Sequence, residues 1–192
     1  EPLSALDAER LDEVRRTLRQ HLRAHHEGPC LLVTHDPLDA AVLADRVVVL
    51  EAGRVTDAGT FADLVARPRS PWAAQLAGNN LLPGTAAGTR VTLAGGGEVV
   101  VADAPPTGEV LVSIRPAAVA LHRDRPEGSP RNVWELEVLG AEGYGERVRV
   151  RLGATPTLVA EVTAAAVADL ALAPGRRVWA SVKATEVTAY PA

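Results

Sequence analysis

The chain has 192 residues, and 47% of them are hydrophobic, which is enough to build the cores of one or two domains. No apolar run approaches the roughly 20 residues that a membrane-spanning helix needs, and no signal peptide is visible. A net charge of -4 and only 3% aromatic residues exclude a general nucleic-acid-binding protein, which would need a basic face and stacking rings.

The first predicted helix begins after Asp7, a suitable N-cap residue, and ends at Gly28-Pro29. Its apolar positions recur at steps of three and four, which predicts one stripe packed against a sheet: Leu11, Val14, Leu18 and Leu22. Its arginines mostly occupy other faces and are predicted to be solvated: Arg15, Arg16, Arg19 and Arg23. No acidic residue or Cys stands at ligand spacing from its histidines, so no metal site is predicted at His21, His25 and His26.

The apolar run from Cys30 to Thr34 predicts a strand that is buried on both faces and has His35 at its carboxyl end. Cys30 is the only cysteine, which excludes an internal disulfide, and its place in the strand predicts a buried, inert thiol. Pro37 suits the first position of a helix. The buried face of that helix is predicted to consist of Leu38, Ala41, Val42 and Ala44.

A hairpin is predicted next, with strands at 46–50 and 55–59 and a tight turn in which Gly53 supplies the positive φ. A helix at 60–65 follows. Pro68, Pro71 and Gly78 then indicate a boundary, with a short helix around 72–77. We expect this hairpin region to be structural, without chemistry of its own.

From Asn79 onward the sequence predicts a small β-barrel, because short Val-rich runs alternate with Gly and Pro. The predicted strands are 90–93, 98–101, 109–114, 133–139, 147–152 and 178–182. Residues 147–152 alternate strictly, so this strand should have one exposed and one buried face. Residues 110–119 resemble residues 178–187, and the preferred interpretation is two related barrel units, 78–125 and 129–192.

The opening sequence EPLSALD, followed by LLVTHDPLDA about thirty positions later, resembles the second half of the ATPase of ABC transporters. The resemblance implies that residues 1–77 are the C-terminal part of a nucleotide-binding domain with an α/β, P-loop-NTPase-like sheet. It also implies ATP and Mg²⁺ as cofactors. Glu1 would be the general base and His35 would contact the γ-phosphate, while Ser4 and Asp7 would belong to the D-loop that meets a second ATPase subunit.

The sequence G-x-x-x-x-G-K-[ST], which cradles phosphates in P-loop proteins, is not found in the chain, and neither is the family's signature loop. The chain also contains no Met. We therefore expect it to be a C-terminal fragment that does not hydrolyse ATP by itself.

Residues 129–190 resemble the molybdate-binding Mop/TOBE module, an all-β, OB-like barrel, in the segments SPRN, LVAEVT and SVKATEV. The resemblance implies that the oxyanion ligands are Ser129, Arg131, Asn132, Lys183, Ala184 and Thr185. Pro130 replaces the usual Ala of this module and withholds one backbone N–H.

A tetrahedral dianion accepts hydrogen bonds and donates none, so fixed hydroxyl and N–H donors with one or two cations suit it. Arg131 and Lys183 supply the cations, and Ser129 and Thr185 supply hydroxyls. The alternative is an exposed Arg and an exposed Lys on a barrel that only packs against its dimer mate.

The two resemblances predict the ATPase subunit of a molybdate ABC importer with a molybdate-sensing barrel. Such a subunit is a homodimer in the cytoplasm, held at the inner face of the plasma membrane by a transmembrane permease subunit. Two alternatives stay open. One is a stand-alone molybdate-binding or storage protein with an ATPase remnant, and the other is an ABC ATPase for tungstate, sulfate, sugar or polyamine.

Overall fold

The computed structural model describes residues 3, 8–25 and 28–192. Glu1, Ser4 and Asp7, for which roles are predicted, lie outside these residues, as does His26. The chain divides into two units, 1–76 and 77–192, which are described separately. No helix in the described ranges is long and apolar enough to cross a membrane.

The described part of the first unit contains four helices and one hairpin. The helices are α1 (Ala8–His25), α2 (Pro37–Leu43), α3 (Phe61–Ala66) and α4 (Pro71–Ala77). The hairpin consists of β1 (Val47–Glu51) and β2 (Arg54–Gly59), which pair antiparallel. Ala52 and Gly53 form the turn, both with positive φ, which matches the right-handed twist of the strands. The predicted hairpin is therefore confirmed, as are the two short helices after it.

The predicted strand at 30–34 is wrong. Two of its three aliphatic side chains are solvent-exposed, Leu31 at 91% and Val33 at 63%, and the Cys30 thiol, predicted to be buried, is exposed as well. A strand buried on both faces needs partner strands beside it and layers above and below it. In the described part of the first unit, β1 and β2 pair only with each other. The parallel sheet of a P-loop NTPase is therefore not formed by these residues.

The buried face of α2 also differs from the prediction. Leu38 is 58% exposed, whereas Asp39 and Ala40 are buried. The acidic residue is buried because Arg15 of α1 lies against it, 4% exposed. The prediction that the arginines of α1 are solvated holds for Arg16, Arg19 and Arg23 but is wrong for Arg15.

Arg15 is the centre of a hydrogen-bonded group that we call the Arg15 cluster, which consists of Arg15, Thr34, Asp36 and Asp39. The Arg15 guanidinium donates from Nε to Asp39 Oδ1 at 2.6 Å and from Nη2 to Asp36 Oδ2 at 2.5 Å. The Thr34 hydroxyl donates to Asp39 Oδ2 at 2.8 Å and accepts from the Asp36 N–H at 3.0 Å. These bonds tie α1, the segment before α2 and α2 itself together.

The second unit contains ten strands, one helix and two 3₁₀ turns. Its first half comprises β3 (Asn80–Ala87), β4 (Arg90–Leu93), β5 (Glu98–Val100), β6 (Gly108–Ile114), a 3₁₀ turn (Pro116–Ala118) and β7 (Ala120–His122). Its second half comprises β8 (Asn132–Tyr144), β9 (Arg147–Gly153), β10 (Leu158–Thr163), α5 (Ala164–Asp169), β11 (Arg177–Val182), a 3₁₀ turn (Ala184–Glu186) and β12 (Val187–Pro191).

The two halves form two five-stranded sheets of the same topology and exchange their last strands. One sheet has the order β12-β6-β3-β4-β5 and the other β7-β11-β8-β9-β10. β7 thus completes the sheet of the second half, and β12 completes the sheet of the first half. The repeated sequence at 110–119 and 178–187 corresponds to β6 and β11 with the 3₁₀ turns that follow them. The two-unit interpretation stays a prediction, because each sheet contains residues of both halves.

One hydrophobic core lies between these strands. It includes Val112 and Ile114 of β6 as well as Val150 and Leu152 of β9, all fully buried. Along β9, Arg147 and Arg151 are exposed while Val150 and Leu152 are buried, which confirms the predicted alternation.

Two buried asparagines, Asn80 and Asn132, join the two sheets. Asn80 lies at the start of β3, where its amide donates to the carbonyl of Val159 in β10 at 3.0 Å and accepts from the Val159 N–H at 2.6 Å. Asn132 lies at the start of β8 and bonds the Val100 backbone of β5 in the same way, at 2.9 and 2.6 Å. Each asparagine therefore holds the outer strand of the opposite sheet.

Replacing Arg15 by Met should destabilise the first unit by about 3–5 kcal/mol, because the change leaves Asp39 buried without its cation. Amide hydrogen exchange of peptides from α1 and α2 measures this unit separately from the rest of the chain. Arg16→Met, on the exposed face of the same helix, is the matched control and should shift stability by less than about 0.5 kcal/mol. Equal protection in the two variants would contradict a stabilising role for the Arg15 cluster.

Asn80→Ala should destabilise the second unit by about 1–3 kcal/mol, because it leaves the N–H and carbonyl of Val159 unpaired. Urea unfolding followed by Trp fluorescence in a Trp72→Phe background reports on this unit, because the two remaining tryptophans are Trp134 and Trp179. Asn79→Ala is the control, since that amide donates one hydrogen bond to the Ser113 hydroxyl and its loss should cost less. A smaller effect at Asn80 than at Asn79 would show that the asparagine bonds do not hold the sheets.

Candidate functional site

Strand pairing brings the predicted oxyanion residues to one end of a sheet. Asn132, the first residue of β8, lies opposite Val182, the last residue of β11. Arg131 precedes this pair on one strand, and Lys183 follows it on the other. Both cations are therefore next in the chain to the last residue pair at the same end of β8 and β11.

Arg131 and Lys183 are both exposed. Within the described ranges neither has an ion pair or a hydrogen bond from its side chain, and the same is true of Arg151 and Arg176, whereas five of the nine other arginines of the second unit have acidic partners. Those paired residues are Arg90, Arg115, Arg147, Arg149 and Arg177. Adjacent like charges repel each other, and a bound anion would relieve that repulsion.

The remaining predicted ligands fall into two groups. Ser129 and Thr185 are exposed and carry hydroxyls, in the segment before β8 and in the turn after β11. Ala184 is half-buried, and its carbonyl accepts from the Ala102 N–H at 3.2 Å. Asn132 is 3% exposed, and its amide is engaged with Val100. Asn132 thus fixes the start of β8, next to Arg131.

His35, the other described candidate, is exposed and lies between two members of the Arg15 cluster, Thr34 and Asp36. Asp36 also caps α2, accepting from the Leu38 N–H at 2.8 Å. The pKa of Arg15 is raised, chiefly by its hydrogen bond to Asp39, so its charge is permanent. The sequence did contain a signal for this cluster: Asp36 and Asp39 stand about one helical turn apart, and α1 is rich in arginine. The search for apolar periodicity did not use these charged residues.

A surface depression between β2 and α3 contains none of the candidate residues. It is lined by Asp57, Asp63, Arg67 and Arg69 among others. Asp63 belongs to a capping box with Thr60, whose hydroxyl donates to the carboxylate at 2.6 Å and is the main cause of the lowered pKa of Asp63. Asp57 accepts from the N–H groups of Ala58 and Arg69. Both carboxylates thus hold backbone or hydroxyl groups of their own unit.

No group of three or more His, Cys, Asp or Glu in the described part of the chain could hold a metal ion.

Comparison with known proteins gives one matching family model and many relatives. Residues 128–189 match the TOBE domain. A molybdenum import ATP-binding protein, ModC of Mycobacterium tuberculosis, is 40% identical over 200 residues, covering 100% of this chain and 54% of that protein. A sulfate/thiosulfate import ATP-binding protein, CysA 2 of Chromobacterium violaceum, is 33% identical, covering 100% of this chain and 53% of that protein. The chain thus spans about half the length of these relatives.

Among solved structures, the cytoplasmic molybdate-binding protein ModG in a molybdate-bound crystal form matches with a TM-score of 0.52. The match covers 59% of this chain and 96% of ModG at 24% identity, so it concerns the fold alone. Residues 128–189 are thus similar to the TOBE domain, and the whole chain is similar to about half of a molybdenum import ATP-binding protein.

Proposed function

We propose that this chain is part of the ATPase subunit of a molybdate ABC importer and that residues 78–192 bind the oxyanion and restrain its uptake. The observation that carries the proposal is the pair Arg131 and Lys183, two unpaired cations at adjacent strand ends. The relatives support the importer, and the fold shared with ModG supports the binding module.

The chemistry of this end of the sheet suits a tetrahedral dianion. Two cations offset its two charges, and the hydroxyls of Ser129 and Thr185 donate to its oxygens. Asn132 acts through the backbone, because its bonds to Val100 fix the strand from which Arg131 projects. Ala184 would contribute its N–H. The site is exposed, which allows the ion to enter and leave.

The ATPase reaction belongs to the longer protein that we propose, in which residues 1–77 are the C-terminal part of the nucleotide-binding domain. Glu1 would polarise the attacking water there, and His35 would contact the γ-phosphate of ATP. Ser4 and Asp7 would meet the second subunit of a homodimer, and the permease would hold the dimer at the inner face of the membrane. The Arg15 cluster supports this assignment, because it fixes the residues on both sides of His35.

Sulfate is the second candidate for the cargo, and the 33% identity with a sulfate/thiosulfate importer favours it. The same donors would bind sulfate, a smaller tetrahedral dianion. A stand-alone storage protein is the remaining alternative, for which the ModG fold is the supporting observation.

Calorimetric titration of the 192-residue chain with molybdate should show binding, and Lys183→Gln should weaken it at least about tenfold, because a charge-assisted hydrogen bond is lost. Arg176→Gln is the matched control, since Arg176 directly precedes β11, at the end of the strand away from Lys183, and its replacement should leave the affinity unchanged within about twofold. Sulfate is titrated in parallel. Tighter binding of sulfate than of molybdate would transfer the proposal to a sulfate importer, and no heat with either ion would refute an oxyanion site.

The chain alone should release no phosphate from ATP above the buffer rate, because it contains no phosphate-cradling G-x-x-x-x-G-K-[ST] sequence. A coupled phosphate assay with Mg²⁺ present measures this, with a complete ABC ATPase as the positive control. Turnover by the purified chain would show that our assignment of hydrolysis to a longer protein is mistaken.

A further inference from the structure

The shared topology of the two sheets gives every residue near Lys183 a counterpart in the other half. Asn80 lies opposite Ile114, as Asn132 lies opposite Val182. Arg115, which follows Ile114, is therefore the counterpart of Lys183, and Asn79 is the counterpart of Arg131. We call these two places the Lys183 end and the Arg115 end.

A carboxylate reaches the cation at only one of the two ends. β12 pairs with β6 so that Val187 lies opposite Ile114, which places Glu186 beside Arg115, and their side chains form an ion pair at 3.0 Å. At the Lys183 end, β7 pairs with β11, and continuing the register beyond Ala120 brings Ala118 beside Lys183. The counterpart of Glu186 at the Lys183 end is therefore Ala118, whose side chain is only a methyl group.

The other donors of the Lys183 end are also missing from the Arg115 end. Asn79 carries no charge where Arg131 stands at the other end, and its amide donates to the Ser113 hydroxyl at 3.2 Å. Ala77 corresponds to Ser129, and Ala117 corresponds to Thr185, so both hydroxyls are absent. The Arg115 end therefore has one cation, and that cation is neutralised.

We infer that the chain binds one oxyanion, at the Lys183 end, and that the Glu186 carboxylate takes the place of the anion at the Arg115 end. The inference rests on the proposed oxyanion binding and extends it to the number of sites. A carboxylate and an oxyanion present similar acceptor oxygens to a guanidinium. A built-in carboxylate therefore satisfies Arg115 without a ligand, while Arg131 and Lys183 have no such partner in the described chain.

The test compares two matched variants of the 192-residue chain, Lys183→Gln and Arg115→Gln, by titration with sodium molybdate. The expected result is one ion per wild-type chain, a loss of at least about tenfold in affinity for Lys183→Gln, and a change within about twofold for Arg115→Gln. Two ions per chain, or equal losses in the two variants, would overturn the inference while leaving the proposed function intact. Absence of binding to the wild type would instead overturn the proposed function and this inference with it.

A second measurement addresses Glu186 directly. Two-dimensional NMR resolves the Nε–H signal of Arg115, and millimolar molybdate should leave it unmoved in the wild type but shift it in Glu186→Gln, where the guanidinium has lost its carboxylate. A shift in the wild type, or none in the variant, would show that Glu186 does not stand in for the anion.

Discussion

The second unit depends on two buried asparagine amides. Each sheet ends in an outer strand, β5 or β10, whose open edge would expose unpaired backbone groups. Asn132 takes both the N–H and the carbonyl of Val100 in β5, and Asn80 takes those of Val159 in β10. An amide side chain can do this because it carries a donor and an acceptor side by side, as a backbone peptide does. The same bonds fix the first residues of β3 and β8, and hence the positions of Asn79 and Arg131.

The strand exchange explains why one core serves both sheets. β7 and β12 each follow a 3₁₀ turn that carries the chain from one sheet into the other. If either half were removed, the remaining sheet would lose an outer strand and the covering layer of its core. The turn after β11 contains Glu186, so the crossing that completes the first sheet also delivers the carboxylate to Arg115. The completion of the first sheet by β12 and the ion pair between Glu186 and Arg115 are therefore both consequences of the strand exchange.

Features that depend on neighbouring residues could be predicted from the sequence, whereas features that depend on residues far apart in the chain could not. The hairpin at Gly53 and the alternation along β9 were predicted because turn chemistry and period two are properties of neighbouring residues. β3 was not predicted, since Pro83 and Gly84 interrupt its apolar pattern. The strand at 30–34 failed because burial on both faces requires partner strands that the described residues do not supply. The burial of Arg15 depends on Asp39, 24 positions away, which helical periodicity cannot reveal. The candidate oxyanion residues were named by resemblance, whereas their adjacency required the register of β8 and β11.

Arg115 has a carboxylate partner, whereas Arg131 and Lys183 have none in the described chain. This difference affects which oxyanions the Lys183 end would accept. Hydrogen phosphate keeps a proton near neutral pH, since its second pKa is close to 6, and that proton needs an acceptor. The carboxylate nearest in sequence to Lys183 is Glu186, in the same 3₁₀ turn, and it is held by Arg115. An ion at the Lys183 end would thus meet the donors of Arg131 and Lys183 together with hydroxyls that can orient as donors. If the proposed site binds an oxyanion, such a set would favour fully ionised tetrahedral anions over hydrogen phosphate, because only the latter would leave its own proton without a charged acceptor. Glu186 is held by Arg115 at the other end, so it supplies no acceptor to an ion at the Lys183 end.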